Sequence, residues 1–345
     1  MRRLVALNIF DAFVTGAYML IIPLLLVERS VNLATIGAVF SAFPIVFMVS
    51  RILFASAADT IGLKKFFNLN ALCNLVSVAL YAVSTSPLSY AAAKAIQGVK
   101  ESSLWAVNRN AVYEITTSEN PQMVTVTVVF LRALALAAGA VVSGFLILYV
   151  DFRGAFALLA VVSTLIFIPA RMLDVGRERH RLTLNELLGK LDPASVDRRI
   201  WLTSLVMSIY VAGSTLSVGF VLPILLRSRG LGYWETGITL AMYNGAGALL
   251  LPATLRRTPS AKNTIMLQLF LYLPAVALIP VAGSWFVMVM VIMMALGEST
   301  NYITWESLVN QTVKGSENMA TAIGFLHTPS KLVMIPSFLT CGVIK

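Results

Sequence analysis

Residues 22–37 read IPLLLVERSVNLATIG, and residues 222–237 read LPILLRSRGLGYWETG, which align without gaps at an offset of 200. Each segment is an apolar run that ends in polar residues and a glycine. The identities at this offset include Pro23 with Pro223, Arg29 with Arg229, and Gly37 with Gly237. The match indicates that one part of the chain repeats another.

A second match supports the repeat. Glu101 opens an ESS sequence and Glu298 an EST sequence, 197 residues apart. The tripeptide SEN then occurs at 118–120 and again at 316–318, an offset of 198. Two matches in the same order and at nearly one offset predict two related halves in a parallel arrangement.

The composition places most of the chain in a lipid bilayer. Of the 345 residues, 58% are apolar and 12% are charged, and the mean hydropathy is +0.83. A soluble domain has about 25% charged residues. Since about 20 apolar residues cross the hydrocarbon core as a helix, eleven spans are predicted: 4–27, 33–56, 66–86, 88–113, 122–149, 154–172, 200–226, 234–254, 263–282, 284–310 and 319–343.

The net charge of +10 predicts orientation rather than binding to nucleic acid. Alternate loops hold fifteen Lys and Arg residues on one side and five on the other. Positive residues favour the cytoplasm, so we expect the N-terminus there, in a cell membrane. The long polar connection of residues 171–199 falls on the same side, with an amphipathic surface helix expected at Leu182–Leu191.

The loop between the second and third predicted spans carries a motif, ASAADTIGLKK at residues 55–65. It resembles the signature of the major facilitator superfamily, G-x-x-x-D-[RK]-x-G-x-[RK]-[RK], with Ala55 and Thr60 as departures. Four residues match: Asp59, Gly62, Lys64 and Lys65. Weaker echoes are Lys94-x-x-Gln97-Gly98, the stretch from Arg109 to Glu114, and Asp151-Phe152-Arg153.

The resemblance implies an all-α membrane protein, a bundle of about 11 transmembrane helices in two pseudo-symmetric halves of six and five. The halves would be residues 1–172 and 200–345, joined by a cytoplasmic linker at 173–199. A monomer is expected, and an unidentified partner could substitute for the family's twelfth helix. The implied cytoplasmic signature and gate residues are Asp59, Gly62, Lys64, Lys65, Arg109 and Glu114.

Ionisable residues inside the predicted spans are the first candidates for function, because a charge in the bilayer centre costs about 2.5–3.5 kcal/mol on insertion scales. The candidates for transport and proton coupling are Asp11, Glu101, Glu298, Arg132 and Lys331. A structural reading stands beside this one, in which Glu101 neutralises Arg132 and Glu298 neutralises Lys331. The third and ninth spans hold no charge and the sixth holds only Arg171, next to its last residue; in the family's fold these three lie outside, against lipid.

Helical spacing adds cavity candidates. In the fourth span, polar and aromatic residues recur at steps of three or four and so share a face. The tenth span repeats this pattern after Glu298. The resulting cavity-lining candidates, each with core packing as the alternative, are Tyr18, Lys94, Gln97, Trp105, Asn108, Tyr210, Asn301, Tyr302 and Trp305.

The predicted function is secondary active transport of a small solute by alternating access. Proton coupling is expected, with either drug-type efflux or transport of a small organic solute. The alternative is a transport-inactive receptor-like or scaffold protein of the same fold. A channel would require a filter motif or polar rings. The sequence has no motif of a membrane protease, serine hydrolase or nucleotide-binding loop, so neither enzyme, cofactor, metal nor ATP is predicted.

Overall fold

The computed structural model describes the backbone of residues 1–115, 121–175, 196–256, 260–313 and 319–343, and most side chains within these ranges. This part of the chain is helical and contains no strand. The helices are α1 (Arg2–Glu28), α2 (Leu33–Ile61), α3 (Lys64–Val83), α4 (Pro87–Ile115), α5 (Pro121–Leu165), α6 (Phe167–Met172), α7 (Arg198–Val218), α8 (Val221–Ser228), α9 (Tyr233–Arg256), α10 (Ala261–Leu278), α11 (Ser284–Val313) and α12 (Met319–Val343).

These helices form the eleven crossings expected from the sequence. By length and composition, four described stretches could each span a membrane: Arg2–Glu28, Leu33–Ala58, Lys64–Val83 and Val124–Met172. The last has 49 residues, enough for two crossings, and it breaks at Asp151, whose φ of 60° is not helical. The seventh crossing combines α7 and α8. The surface helix expected at 182–191 lies outside the described residues.

The outer surface of the bundle suits lipid. Large apolar side chains are exposed there, including Leu88, Phe270 and Trp285, each more than 70% exposed. Because helices satisfy their own backbone hydrogen bonds, such a surface is stable in hydrocarbon, whereas in water it would drive association.

The internal repeat is visible in the backbone where α1 and α8 end. Ser30 (φ 56°) and Gly230 (φ 85°), which are 200 residues apart, both take the left-handed conformation. This is the position at which many helices stop, because the following amide can then reach back to an unsatisfied carbonyl. Those bonds are Val31 N to Leu26 O at 3.0 Å and Leu231 N to Leu226 O at 3.2 Å.

Below, α1–α6 are the N-terminal half, α7–α12 the C-terminal half, and the interface between them is the seam. Repeat-related glycines lie in the seam at the distal end, opposite the N-terminus. A methyl group on Gly37 of α2 would come 2.5 Å from the carbonyl oxygen of Phe338 in α12. One on Gly237 of α9 would come 2.7 Å from that of Ala140 in α5. The halves therefore meet there through close backbone contact.

Within the N-terminal half, α1 and α5 also approach closely. The Cα of Gly16 faces the backbone of Leu136, and Gly139 faces the backbone of Phe13. A larger side chain at either glycine would force the helices apart. This close pairing brings polar residues of α1 within hydrogen-bond distance of α5 in the interior of the bundle.

Candidate functional site

Asp11 of α1 is the centre of the buried polar site. Its side chain is 0% exposed, and two amides of α3 donate to Oδ1: the Nδ2 atoms of Asn70 and Asn74, each at 3.1 Å. The two asparagines are four residues apart, so they lie on one face of α3. That face is turned towards α1 although α3 carries no buried charge of its own.

Two cations neutralise Asp11. Lys100 of α4 places Nζ 3.0 Å from Oδ1, and Arg132 of α5 places Nη1 3.1 Å from Oδ2. The same Arg132 nitrogen lies 3.1 Å from Asn8 Oδ1, one helical turn before Asp11. Asn8 in turn donates to Asn108 Oδ1 at 2.8 Å. Three helices, α3, α4 and α5, thus supply the partners of one carboxylate on α1.

Glu101 is the second carboxylate of the site. Its Oε1 lies 2.7 Å from Lys100 Nζ and 2.9 Å from the Thr15 hydroxyl. Its Oε2 accepts a hydrogen bond of 3.0 Å from the indole Nε1 of Trp105, one turn further along α4. Lys100 therefore bridges both carboxylates, and its Nζ also donates to Thr15 Oγ1 at 2.6 Å.

We call Asp11, Lys100, Glu101 and Arg132 the charge quartet. It contains two anions and two cations, all at most 8% exposed as side chains. Each buried charge has an opposite charge within about 3 Å and further hydrogen bonds, which is the condition under which buried ions are tolerated. The quartet as a whole is formally neutral.

The ion pairing differs from the sequence-based structural reading. Arg132, expected to neutralise Glu101, pairs instead with Asp11, for which no cation was expected. Glu101 pairs with Lys100, its neighbour in the chain. The sequence did not indicate roles for Asn70 or Asn74. The spacing of the two asparagines in an otherwise apolar helix was the available signal for a buried polar partner.

A further buried polar group lies towards the distal end. The Lys94 ammonium donates to Gln97 Oε1 at 2.9 Å and lies 4.1 Å from the centre of the Phe40 ring. Tyr81 also donates to Gln97 Oε1, at 3.1 Å. Tyr18 shares a hydrogen bond of 2.9 Å with Ser77. These candidates are buried in the N-terminal half, and Lys94 gains cation–π attraction.

A cavity of about 320 Å³ lies beside the quartet. Its walls come from α2, α4 and α5 of the N-terminal half and from α12 of the C-terminal half, so it crosses the seam. Trp105, which donates to Glu101, is 36% exposed and forms part of the wall. The cavity extends from the level of Trp105 towards Thr125, near the start of α5. One indole therefore separates Glu101 from the cavity.

The cavity is lined by basic side chains. Arg51 of α2, Arg109 of α4 and Lys331 of α12 line it together with His327. The ammonium of Lys331 lies 3.4 Å from Met334 Sδ and 5.1 Å from the centre of the Phe47 ring. Glu101 is the carboxylate whose charge acts on Lys331. The structure therefore does not show the ion pair between Lys331 and Glu298 that was the structural alternative in the sequence analysis.

The remaining sequence candidates are scattered. Glu298 of α11 accepts a hydrogen bond from the Tyr243 hydroxyl of α9, within the C-terminal half. Gly62, with φ 87°, ends α2, and the side chains of Lys64, Lys65 and Glu114 are exposed. The side chains of five candidates lie outside what the structure describes: Asp59, Tyr210, Asn301, Tyr302 and Trp305. Among the described residues, no group of three or more His, Cys, Asp or Glu could hold a metal.

Comparison with solved structures shows the same fold in known transporters. A point mutant of the nucleoside transporter NupG matches with a TM-score of 0.76 and 14% identity, covering 99% of this chain and 90% of that one. The human organic anion transporter MFSD10 (TETRAN) matches with a TM-score of 0.73 and 17% identity, covering 99% and 93%. No curated protein sequence matches the chain.

The family is shown by a sequence model. The model described as Major Facilitator Superfamily matches residues 4–335, nearly the whole chain. This agrees with the helical fold and with the repeat seen in the backbone. The chain is therefore an integral membrane protein that carries a small solute by secondary transport, not an enzyme, and it belongs to the major facilitator superfamily.

Proposed function

We propose that this transporter couples proton movement to the movement of a small organic solute, with Glu101 as the residue that takes and releases the proton. The observation that carries the proposal is the hydrogen bond from the Trp105 indole to Glu101, at 3.0 Å. Trp105 lines the cavity that crosses the seam. Of the two carboxylates in the quartet, Glu101 is therefore the one that is hydrogen-bonded to a side chain of the cavity wall.

Asp11 is a poorer candidate than Glu101. It is held by two cations and two amide donors and has no exposed surface. Protonating it would leave Lys100 and Arg132 short of negative charge in a medium that solvates ions poorly. We assign Asp11 the role of holding α1, α3, α4 and α5 together.

Glu298 is also a poorer candidate for coupling. The Tyr243 hydroxyl, which donates a hydrogen bond to Glu298, lies in the same half of the molecule. A proton there would act on this contact between α9 and α11. Glu101, by contrast, is hydrogen-bonded to Trp105, which lines the same cavity as Lys331 of the opposite half, so the two opposite charges attract each other across the seam.

Coupling follows from that attraction across the seam. When Glu101 is ionised, it attracts Lys331 and stabilises the arrangement in which α4 and α12 are close. When Glu101 is protonated, the attraction is lost, while Lys100 keeps Asp11 as its counter-ion at 3.0 Å. Proton binding therefore favours separation of the halves near the cavity, as alternating access requires.

For the whole transporter, we propose that the halves at residues 1–172 and 200–345 rock about the seam, with the linker 173–199 between them. The basic loop residues support a cytoplasmic N-terminus in the cell membrane. We propose a monomer as the working unit, since both walls of the cavity come from one chain. The named relatives move different solutes and are at most 17% identical, so the solute must be inferred from this chain.

The experiment compares carboxylate-to-amide variants in proteoliposomes with an imposed proton gradient. A mixture of small metabolites is supplied, and solutes accumulated by the unaltered protein are identified by mass spectrometry. Glu101→Gln is expected to lose gradient-driven accumulation of these solutes but to keep exchange of labelled for unlabelled solute. Asp174→Asn, at an exposed position at the start of the linker, is the control and should retain both. Gradient-driven accumulation by Glu101→Gln at the level of the control would contradict the assignment.

A further inference from the structure

The cavity beside the quartet is strongly cationic. Arg51, Arg109 and Lys331 reach it from three different helices. Their charges lie close together, because all three side chains line one cavity of about 320 Å³ together with His327. Among the cavity-lining residues that the structure describes, none is an aspartate or a glutamate.

The charge quartet does not compensate this cavity. Its two anions are matched by its own two cations, so its net charge is zero. Asp11 is fully buried behind these cations. Glu101 carries a single negative charge, which it shares with Lys100 at 2.7 Å, and this charge cannot offset all the basic side chains of the cavity. Positive potential therefore remains in the cavity.

Arg51 supplies the second, independent observation. Its side chain is 6% exposed, and two of its guanidinium nitrogens, Nε and Nη1, are buried without a hydrogen-bond partner among the described residues. A buried donor without an acceptor costs about 1–3 kcal/mol, and more when it is charged. A bound anion in the cavity would supply the missing acceptors at charge-assisted strength.

The rest of the wall indicates what the anion carries. Trp105 and Phe47 provide aromatic surface, and Val128, Val129 and Ile323 provide aliphatic surface. A volume of about 320 Å³ admits a solute of metabolite or small-drug size. A bare inorganic ion would leave most of this apolar wall uncovered.

We propose that the transported solute is an organic anion, with a carboxylate, sulfate or phosphate group at Arg51 and an apolar or aromatic body against Trp105 and Phe47. This inference rests on the proposed function insofar as the cavity is the solute site. The sequence left open drug-type efflux and the transport of a small organic solute. The inference favours an organic solute that is an anion, and it disfavours a cationic drug, which three basic side chains would repel.

The test measures the potential of the cavity with a cysteine. Val129 is replaced by Cys in a background in which Cys73 and Cys341 are Ala, and the purified protein is treated with an anionic and a cationic methanethiosulfonate. We expect the anionic reagent to react about tenfold faster, relative to the same pair of reagents at an exposed control cysteine, Ser86→Cys. A ratio at or below that of the control would overturn the proposal.

Two variants test whether particular side chains cause the preference for the anionic reagent. Arg51→Gln and Lys331→Gln should each lower the preference for the anionic reagent at Val129→Cys several-fold. Arg199→Gln, which removes an exposed charge, should leave the preference unchanged. If the Arg51 variant does not fold, the Lys331 variant decides. No change in either folded variant would overturn the assignment of the potential to these side chains.

Protection experiments identify the ligand class. The probes are 2-naphthoate, 2-naphthylmethylamine and inorganic phosphate, each at millimolar concentration, against a neutral thiol reagent. Protection of Val129→Cys by the naphthoate alone is expected. Protection by the amine, by phosphate alone or by none of the three would contradict an organic-anion site. Since labelling requires no proton gradient, failure of coupling through Glu101 would leave these results unaffected.

Discussion

At the scale of single residues, Asp11 is the group whose loss should affect stability most. It is the only described ion-pair partner of Arg132, and it shares Lys100 with Glu101. Replacing it by Asn would leave three charges, two of them positive, in a buried site. Breaking a buried ion pair by removing one partner costs about 3–5 kcal/mol. We therefore expect Asp11→Asn to lower the unfolding temperature of the purified protein markedly.

A double variant separates charge imbalance from loss of shape. Asp11→Asn combined with Lys100→Met leaves one anion, Glu101, and one cation, Arg132. The double variant should unfold at a higher temperature than Asp11→Asn alone, because the uncompensated cation has been removed. Fluorescence-monitored melting in detergent measures both. Equal melting temperatures for the single and double variants would show that charge balance does not explain the effect.

The sequence predicted which residues are buried in the bundle better than it predicted their partners. Asp11, Glu101 and Arg132 stand out because charges are rare in apolar spans. Their pairing depends on how α1, α4 and α5 are rotated about their axes, which helical spacing does not determine. For the same reason the sequence did not predict the role of Arg51, which depends on its place in a cavity between the two halves.

At the scale of helices, the repeat makes a prediction about the ends of α1 and α8. Ser30 and Gly230 occupy equivalent left-handed positions, but only glycine takes that conformation without steric cost. Ser30→Gly should therefore be neutral or stabilise the protein by up to about 1 kcal/mol. Gly230→Ser should destabilise it by about 1–2 kcal/mol.

Both positions are exposed, so the two substitutions change little besides backbone preference. Melting of the two single variants beside the unaltered protein measures the effect. The signs should be opposite, since one substitution removes the strain that the other introduces. Destabilisation by Ser30→Gly would mean that the serine side chain contributes more than its backbone strain costs.

Helix positions followed from the sequence closely, and the departures have local causes. The predicted span 122–149 corresponds to the part of α5 before Asp151, and the span 154–172 to the rest of α5 together with α6, so the connection is shorter than expected. Asp151 alone leaves the helical conformation, and its Oδ1 accepts from the amide of Arg153 at 2.5 Å. An aspartate that caps the next turn lets the chain turn back without a loop. Hydropathy cannot detect such a turn.

At the scale of the whole molecule, the distal end of the seam is built from equivalent parts of the two halves. Gly37 brings α2 against α12, and Gly237 brings α9 against α5. The aromatic rings of Phe40, Phe220 and Phe338 pack together nearby, with ring centres 5.1–6.0 Å apart. In alternating access these contacts must separate when the distal end opens, so they set how strongly the described conformation is favoured.

The symmetry predicts that Gly37→Ala and Gly237→Ala act alike. Each added methyl would meet a backbone carbonyl at 2.5 Å or 2.7 Å, and overpacking of this kind costs about 1–3 kcal/mol. The intrinsic preference of helices for Ala over Gly stabilises each variant by at most about 1 kcal/mol. Both variants should therefore lower the melting temperature, and Gly37→Ala should also raise the rate at which a thiol reagent modifies Cys341, three residues beyond Phe338.

Gly245→Ala, in the same helix as Gly237, is the matched control. A methyl group there meets nothing within 4 Å, so only the helix preference acts and the melting temperature should rise slightly. Opposite shifts for Gly237→Ala and Gly245→Ala would assign the cost to the seam rather than to α9 itself. If the two variants shifted in the same direction, the seam would not be tightly packed at Gly237, and the two halves would be joined at the distal end mainly by their aromatic side chains.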